Sequence, residues 1–370
     1  MSNWITTWAQ AHADMSALSG KAKDSTARIT VFSEISGSQV RIRLSNQEGK
    51  TRAVLESASV QIEAGEYTAL TFDGKAGLSL EPGYSVYSDS AEVKVRAGEA
   101  ITISLAFQGA VSSGNNLPEC VRLSTRGNYT QSMQMPRARK SLSEKLNGLT
   151  PVLPMLSAVE ISTEERKEVL VCFGDSITAM SYWTRPLADL LRSAGRNTVV
   201  INKGISGNQL LSDPIMRMMA LYGKAAVKRF EEDVLNVSGV SAVLFALGVN
   251  DLNMSRSIKA VSGKAEAILN ALEELSGRAK EKGLKTYAAT VTPFGGCTGY
   301  RDFTGTEREK LNCLIRGSKA FDGIADFDAI VRDPGHAERM LEIYDSGDHL
   351  HPGIIGGKKL AEAVYDILWV

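Results

Sequence analysis

The chain has 370 residues, which is more than one typical domain needs and is comfortable for two. Its apolar content of 43% and charged content of 23% are ordinary for a globular protein. Lysine plus arginine equals aspartate plus glutamate at 42 each, so no basic field suggests nucleic acid and no acidic excess suggests a cationic partner.

The amino-terminal segment and the cysteines bear on cellular location. Residues 1–10 lack the basic start and the long apolar core of a signal peptide, and no apolar run approaches the roughly 20 residues that span a bilayer. The four cysteines show neither a C-x-x-C pair nor zinc-ligand spacing. We therefore expect a cytoplasmic protein with free thiols and no membrane partner.

The first part of the chain has the pattern of β structure. Short runs with partial apolar alternation are separated by turn signals such as Ala64-Gly65 and Pro82-Gly83. Near-regular spacing of such runs favours an all-β sandwich or jelly roll, which we assign to residues 1–160. Residues 112–116 and 133–140 look like loops. The predicted strands are 28–32, 39–44, 54–62, 67–72, 85–87, 92–96 and 100–107.

The second part, assigned to residues 161–370, alternates between strand and helix patterns. Alternation of this kind implies a parallel sheet covered by helices on both faces, an α/β domain. A Thr306-x-x-Glu309 pattern predicts a capping box. The predicted strands are 169–173, 198–202, 241–247, 285–291 and 323–327, and the predicted helices are 176–194, 214–236, 257–282, 306–319 and 356–368.

One serine lies at the crossing from a buried strand into a helix. The apolar run 169–173 ends at Gly174, and Asp175 and Ser176 follow it directly. In open α/β sheets, ligands bind at the carboxyl ends of the strands. Ser176 is therefore a candidate nucleophile, while Asp175 is expected to brace the turn by accepting backbone hydrogen bonds. A helix-capping serine is the plain alternative for this motif taken alone.

A serine nucleophile needs a base, which is usually histidine. Of the four histidines, His12 lies in the β part and His336 in a predicted surface loop. His351 has Asp348 three residues before it, a spacing that places both side chains on one side of a turn. The predicted triad is Ser176, Asp348 and His351, with a supporting or structural role for His349.

Two further strand ends offer hydrogen-bond donors for an oxyanion. Gly207 lies in the loop after strand 198–202, where a residue without Cβ lets a backbone N–H approach a ligand. Asn250 follows strand 241–247 and can donate through its side-chain amide. With the N–H of Ser176, these would make three donors from three loops. Taken singly, Gly207 could be a turn glycine and Asn250 a helix cap.

The loop that carries the histidines also has the residue types of a metal site. Its candidate ligands are Asp345, Asp348, His349 and His351. No further histidine or cysteine cluster in the sequence completes a coordination shell, so we expect no metal and no other cofactor.

These motifs together resemble the four sequence blocks of the SGNH (GDSL) hydrolases, in the same chain order. The blocks are Gly174-Asp-Ser-Ile-Thr178, Gly204-Ile-Ser-Gly207-Asn208, Gly248-Val-Asn250-Asp251 and Asp348-His-Leu-His351-Pro352. The first has isoleucine where the family's motif has leucine. The resemblance implies a flavodoxin-like sheet of five parallel strands, no metal, Ser176 as nucleophile, His351 and Asp348 as base and orienter, and Gly207 and Asn250 as oxyanion donors.

Further stretches resemble two-domain bacterial GDSL esterases related to xylan esterases. The resemblance implies a serine esterase acting on short, acetyl esters of carbohydrate, such as imported acetylated xylo- or manno-oligosaccharides. The alternatives are a broad arylesterase, thioesterase or lysophospholipase, and a non-catalytic carbohydrate-binding protein. The β domain is a candidate for a wall of the cleft or an oligomer contact. The stretches are Val40–Asn46, Leu70–Phe72, Tyr87–Asp89, Ile315–Arg316, Phe321–Asp328, Arg332–Pro334 and Tyr344–Asp348.

Overall fold

The computed structural model describes residues 3–16, 23–116, 121–138, 152–214 and 217–368. The chain divides into two compact units, Met1–Arg166 with Met216–Gly223 and Lys167–Ile215 with Lys224–Val370. The predicted domain boundary at residues 160 and 161 falls inside a strand of the first unit, Leu156–Thr163. No helix among the described residues combines the length and the apolar character needed to cross a membrane.

Antiparallel sheets build the first unit. Their strand orders are β1-β13-β4-β8, β12-β10-β2 and β11-β3-β9-β5-β6, with β7 pairing β5. In β4, Val40, Ile42 and Leu44 are fully buried and alternate with partly exposed polar residues, the period expected of a half-buried strand. The strands are β1 (Asn3–Ala9), β2 (Ala13–Asp14), β3 (Ser25–Phe32), β4 (Gln39–Ser45), β5 (Ala53–Ile62), β6 (Tyr67–Leu70), β7 (Leu78–Leu80), β8 (Ser85–Tyr87), β9 (Ala100–Gln108), β10 (Ser113–Asn116), β11 (Arg122–Arg126), β12 (Val152–Pro154) and β13 (Leu156–Thr163).

The strand predictions for this unit were wrong at two places. Residues 92–96 form no ladder, because only Ala91 and Val95 make isolated bridges, to Val40 and Gly37. Residues 113–116, expected in a loop, form β10 between β12 and β2. The predicted loop 133–140 has no helix or strand at 133–138, and residues 139 and 140 lie outside the described residues.

Seven of the described strands of the first unit were not predicted: β1, β2, β7, β10, β11, β12 and β13. Two of them, β1 and β13, pair with each other. β13 lies between β1 and β4, and all eight of its residues are buried, including Glu160. Glu160 forms an ion pair with Arg41 on β4, which allows this charged residue to be buried. From the sequence alone, a glutamate would be placed at the surface.

The second unit contains a five-stranded parallel sheet of order β15-β14-β16-β17-β18. The second strand along the chain lies at one edge and the first is next to it, the strand order of a flavodoxin-like fold. This confirms the predicted α/β class. The strands are β14 (Glu168–Gly174), β15 (Thr198–Gly204), β16 (Val240–Ala246), β17 (Lys285–Ala289) and β18 (Gly323–Ala325).

Three of the predicted helices are divided into shorter segments, whereas the last two are continuous and begin earlier than predicted. The helices are α1 (Ser176–Ala179), α2 (Thr184–Ser193), α3 (Ala226–Phe230), α4 (Val249–Asn253), α5 (Ile258–Val261), α6 (Lys264–Glu281), α7 (Asp302–Gly317), α8 (Phe327–Val331) and α9 (Ile354–Ile367), with 3₁₀ turns at Arg217–Tyr222 and Glu342–Tyr344 and a π turn at Glu231–Leu235.

The interruptions have local backbone causes. Ser181, at φ 61°, lies between α1 and α2, and Gly263, at φ 77°, lies between α5 and α6. Both are left-handed conformations that a continuous helix does not contain. The predicted capping box at Thr306 was wrong, because α7 begins at Asp302 with Arg301 at the N-cap position, and the N–H of Arg301 donates to Oγ1 of Thr304 at 3.3 Å.

Candidate active site

The turn after β14 is built by close packing of strand against helix. Asp175 is the N-cap of α1, and its Oδ1 accepts a hydrogen bond from the N–H of Ile177 at 3.0 Å. A Cβ on Gly174 would lie 2.0 Å from Oγ1 of Thr178, so this position requires glycine. The bracing contact expected of Asp175 is present, and Ser176 is held at the first position of the helix.

His351 joins Ser176 to Asp348. Its Nε2 lies 2.8 Å from Oγ of Ser176, and its Nδ1 lies 2.6 Å from Oδ2 of Asp348. The other carboxylate oxygen of Asp348 accepts the N–H groups of Leu350 and His351 at 3.0 and 2.8 Å. Partial burial acts to raise the pKa of Asp348, but these hydrogen bonds outweigh it and lower the pKa to about 2. Asp348 is therefore ionised at neutral pH.

A second Asp–His pair lies in the same loop. Nδ1 of His349 is 2.6 Å from Oδ2 of Asp345, whose Oδ1 accepts the N–H groups of Gly347 and His349. The His349 ring lies close to Gly296, where an added Cβ would be 3.3 Å from its Cγ, and the backbone of His349 has a left-handed φ of 61°. The residues weighed as metal ligands thus form two separate Asp–His pairs. Within the described residues, no group of three or more His, Cys, Asp or Glu side chains is arranged for a metal ion.

The two predicted oxyanion donors lie in the loops after β15 and β16, the strands on either side of β14. Gly207 has a φ of 75°, which favours glycine. Asn250 is buried in the first turn of α4, and its Nδ2 donates to the backbone oxygen of Asn208 at 3.0 Å. An amide nitrogen has two hydrogens, so Asn250 can donate a second bond to a ligand.

Two buried aspartates support these loops. Asp251 accepts the N–H groups of Leu210 and Leu211 at 2.8 and 2.9 Å, which anchors the chain just after Gly207. Burial raises the pKa of Asp251, and it also raises the pKa of Asp175, to about 7. The bracing role expected of Asp175 has its counterpart in Asp251, which also accepts backbone hydrogen bonds.

Sequence reasoning missed Arg229, which lies on α3 outside the four motif blocks. Its buried guanidinium donates to the backbone oxygens of Gly174 and Lys203 and to the side chain of Asn208. A lone arginine within a predicted amphipathic helix is usually a surface residue, so the sequence carries no signal for this position.

The loop 292–300 is held by specific contacts. The N–H of Gly295 donates to the backbone oxygen of Glu338 at 2.6 Å, and Phe294 and Tyr300 pack edge to face at 5.8 Å between ring centroids. The loop borders a cleft of about 440 Å³, whose lining residues are Gly296, Tyr300, Asp302, Gly305, Thr306, Glu309, Glu338 and Arg339.

A flavodoxin-like sheet with a hydrogen-bonded Ser–His–Asp set at the ends of its strands is typical of α/β serine hydrolases. Residues 172–358 match the model of the GDSL-like Lipase/Acylhydrolase family, which is half of the chain. The chain belongs to this family and is a hydrolase of the esterase type, with small-molecule esters as its class of substrate. No curated protein matches the chain.

Solved structures with a similar arrangement include several GDSL proteins. A lipolytic protein of the G-D-S-L family from Desulfitobacterium hafniense has 18% identity and a TM-score of 0.39, over 54% of this chain and 98% of that one. An acetyl xylan esterase from Geobacillus stearothermophilus has 19% identity and a TM-score of 0.40, over 55% and 94% of the two chains.

Proposed function

We propose that this protein hydrolyses short-chain esters, acetyl esters first among them, through an acyl-enzyme formed on Ser176. One observation carries the proposal: Oγ of Ser176 lies 2.8 Å from Nε2 of His351, whose other ring nitrogen lies 2.6 Å from the Asp348 carboxylate. A nucleophile, a base and an orienting carboxylate are thereby in hydrogen-bond contact before any substrate binds.

In the first step, Oγ of Ser176 attacks the acyl carbon and its proton passes to Nε2 of His351. The ionised Asp348 holds the Nδ1–H of the ring and stabilises the imidazolium. The N–H groups of Ser176 and Gly207 and the Asn250 amide are the proposed donors to the oxyanion. His351 then protonates the departing alkoxide, and the acyl group remains on the serine.

In the second step, His351 removes a proton from water, which attacks the acyl-serine carbonyl. The same donors hold the second oxyanion, and its collapse returns the proton to Oγ of Ser176 and releases the carboxylic acid. The balance is one water consumed for one alcohol and one acid formed.

The acetyl group is proposed from the sequence resemblance to GDSL esterases related to xylan esterases. The cavity of about 20 Å³ beside the turn is lined by Asp175, Ile177, Val249 and Val291, among others, and Ser176 is not one of its lining residues. This cavity therefore does not bear on acyl length.

A sugar alcohol is supported by the polar cleft bordered by loop 292–300. Its lining includes Tyr300, Glu309 and Arg339, an aromatic ring with charged donors and acceptors that suits a hydroxyl-rich leaving group. One lining residue is Gly296, where an added Cβ would lie 3.3 Å from Cγ of His349, in the loop that carries His351. We propose acetylated xylo- or manno-oligosaccharides in the cytoplasm as the substrates.

Hydrolysis of p-nitrophenyl acetate by wild type and by S176A tests the catalytic assignment. We expect the variant to lose nearly all activity, and equal rates would favour a non-catalytic carbohydrate-binding protein instead.

A series from acetyl to decanoyl esters then tests acyl length. Preference for decanoyl would support the broad arylesterase, thioesterase or lysophospholipase alternative. Release of acetate from a panel of acetylated oligosaccharides tests whether the alcohol part of the substrate is a sugar and which sugar it is.

A further inference from the structure

We propose that Arg229 is a positioning residue that fixes the oxyanion donors relative to the nucleophile turn. The inference rests on the proposed function and adds a residue outside the four motif blocks. The guanidinium is buried, at 6% exposure. It lies 4.2 Å from the centroid of the Phe173 ring in β14, a cation–π contact that orients its plane.

The hydrogen bonds of Arg229 end on the loops of the site. Nη2 donates to the backbone oxygen of Gly174 at 2.8 Å, Nη1 to that of Lys203 at 3.0 Å, and Nε to Oδ1 of Asn208 at 3.0 Å. Gly174 ends β14, and Lys203 is in β15. A single planar group therefore sets the distance between the turn that carries the nucleophile and the loop after the neighbouring strand.

Each proposed oxyanion donor is a short step from these contacts. Ser176 is two residues after Gly174, and Gly207 directly precedes Asn208. Asn250 donates to the backbone oxygen of Asn208 at 3.0 Å, so its amide is positioned by the residue whose side chain Arg229 holds. Movement of the guanidinium would thus displace three donors that must point at one oxygen atom.

The charge of Arg229 is compensated inside the protein. Its Nη1 lies 2.9 Å from Oδ2 of Asp233, whose Oδ1 lies 3.3 Å from Nζ of Lys203. Asp233 is in the π turn that follows α3 directly, and π turns occur frequently at functional sites. Burial raises the pKa of Asp175, and the charge of Arg229 offsets a part of that rise because it favours the ionised form. Asp233 has two cationic partners, and a lysine at position 229 keeps the positive charge, so R229K leaves no buried carboxylate without a nearby cation.

The test compares R229K with R308K. Arg308 is a matched control, because it is buried in the same unit, pairs with Asp328 and donates to the backbone oxygens of Val291 and Ala337, which lie outside the motif blocks. For R229K we expect kcat on p-nitrophenyl acetate to fall by about 10- to 100-fold, with KM within about threefold, because a displacement near 1 Å costs about 100-fold in rate. R308K should keep wild-type kcat once the folded fraction is accounted for.

A second readout separates positioning from stability. Phenylboronic acid forms a tetrahedral adduct when Oγ of Ser176 bonds to boron and its proton passes to His351, and one boron-bound oxygen then occupies the oxyanion position. Since such an adduct mimics the transition state, its Ki should rise in R229K by the same factor by which kcat falls. A merely structural role would lower the melting temperature and leave Ki unchanged.

Three results would overturn the inference. The first is a folded R229K variant with wild-type kcat and Ki. The second is an equal loss of kcat in R229K and R308K. If R229K does not fold, N208A removes the Arg229–Asn208 contact together with the bond from Nδ2 of Asn208 to the backbone oxygen of Lys224, and wild-type kcat and Ki in that variant would be the third. Wild-type protein without esterase activity would overturn the proposed function, and the inference would fall with it.

Discussion

Nε2 of His351 lies 2.8 Å from Oγ of Ser176, although 175 residues separate them in the chain. The contact joins the loop before the last helix to the turn after β14. Two residues earlier, Nδ1 of His349 lies 2.6 Å from Asp345, the same distance as between Nδ1 of His351 and Asp348. The two Asp–His pairs make a natural internal comparison.

Replacement of Asp348 by asparagine should lower kcat for p-nitrophenyl acetate by about 100- to 10,000-fold, because the amide cannot hold the Nδ1–H tautomer of His351. The matched control is D345N, which makes the same change beside His349. We expect D345N to stay within a fewfold of wild type in steady-state kinetics. Equal losses in the two variants would show that the loop needs both carboxylates for its conformation.

Replacement of Asn250 by alanine removes one proposed oxyanion donor and should lower kcat by about 100- to 1,000-fold with little change in KM. N253A is the control, since Asn253 is in the same helix and contacts Cys297 in loop 292–300. Steady-state kinetics on a short ester measure both parameters. A higher KM at unchanged kcat in N250A would mean that Asn250 binds the ground state and not the oxyanion.

Replacement of Asp175 by asparagine should change how stability depends on pH. Burial raises the pKa of Asp175 from 3.8 to about 7, so the folded protein binds this proton more tightly than the unfolded chain. The stability that the protonated acid contributes is therefore lost as the pH rises from about 4 to about 7.

Asparagine has no such proton to lose and can still accept from Ile177. The stability of D175N relative to wild type should consequently increase over this pH interval and level off above it. Urea unfolding of both proteins at pH 5 and pH 8 measures the change. The same difference in unfolding free energy at the two pH values would refute the burial argument.

Replacement of Gly204 by alanine should destabilise the second unit by about 1–3 kcal/mol, the usual cost of overpacking. A Cβ there would lie 2.3 Å from the backbone nitrogen of Ala179 and 2.8 Å from the backbone oxygen of Asp175, neither of which can rotate away. G277A is the matched control: Gly277 is inside α6, and an added methyl group would meet nothing within 4 Å beyond the backbone of its own helix. Alanine should therefore stabilise the helix at this position by about 0.5–1 kcal/mol. Thermal unfolding of both variants tests the contrast, and stabilisation by G204A would contradict the packing argument.

Much of the second unit could be predicted from local patterns. The run 169–173 has the apolar, β-branched composition of a buried strand, and it is the interior of β14. Strand patterns alternate with helix patterns, which predicts the parallel sheet. Helix ends were less predictable, because Ser181 and Gly263 take left-handed conformations that apolar periodicity does not register.

The first unit was less predictable because several of its strands pair with strands that are far away in the chain. β13 is the clearest case: it pairs with β1 and with β4, more than a hundred residues earlier in the chain. Glu160 within it is buried because Arg41 lies on the neighbouring strand, a relationship that composition alone does not reveal.

The sequence by itself determined the candidate chemistry. It has a serine after a buried strand, an aspartate three residues before a histidine, and a glycine and an asparagine after two more strands. Each of these motifs can be recognised from the local sequence, because it depends on the preferences of neighbouring residues. The tertiary structure decided which imidazole reaches Ser176 and which cation holds the loops together. His351 and Arg229 both act across long chain separations, and only folding sets such distances, because they depend on the packing of the whole sheet rather than on neighbouring residues.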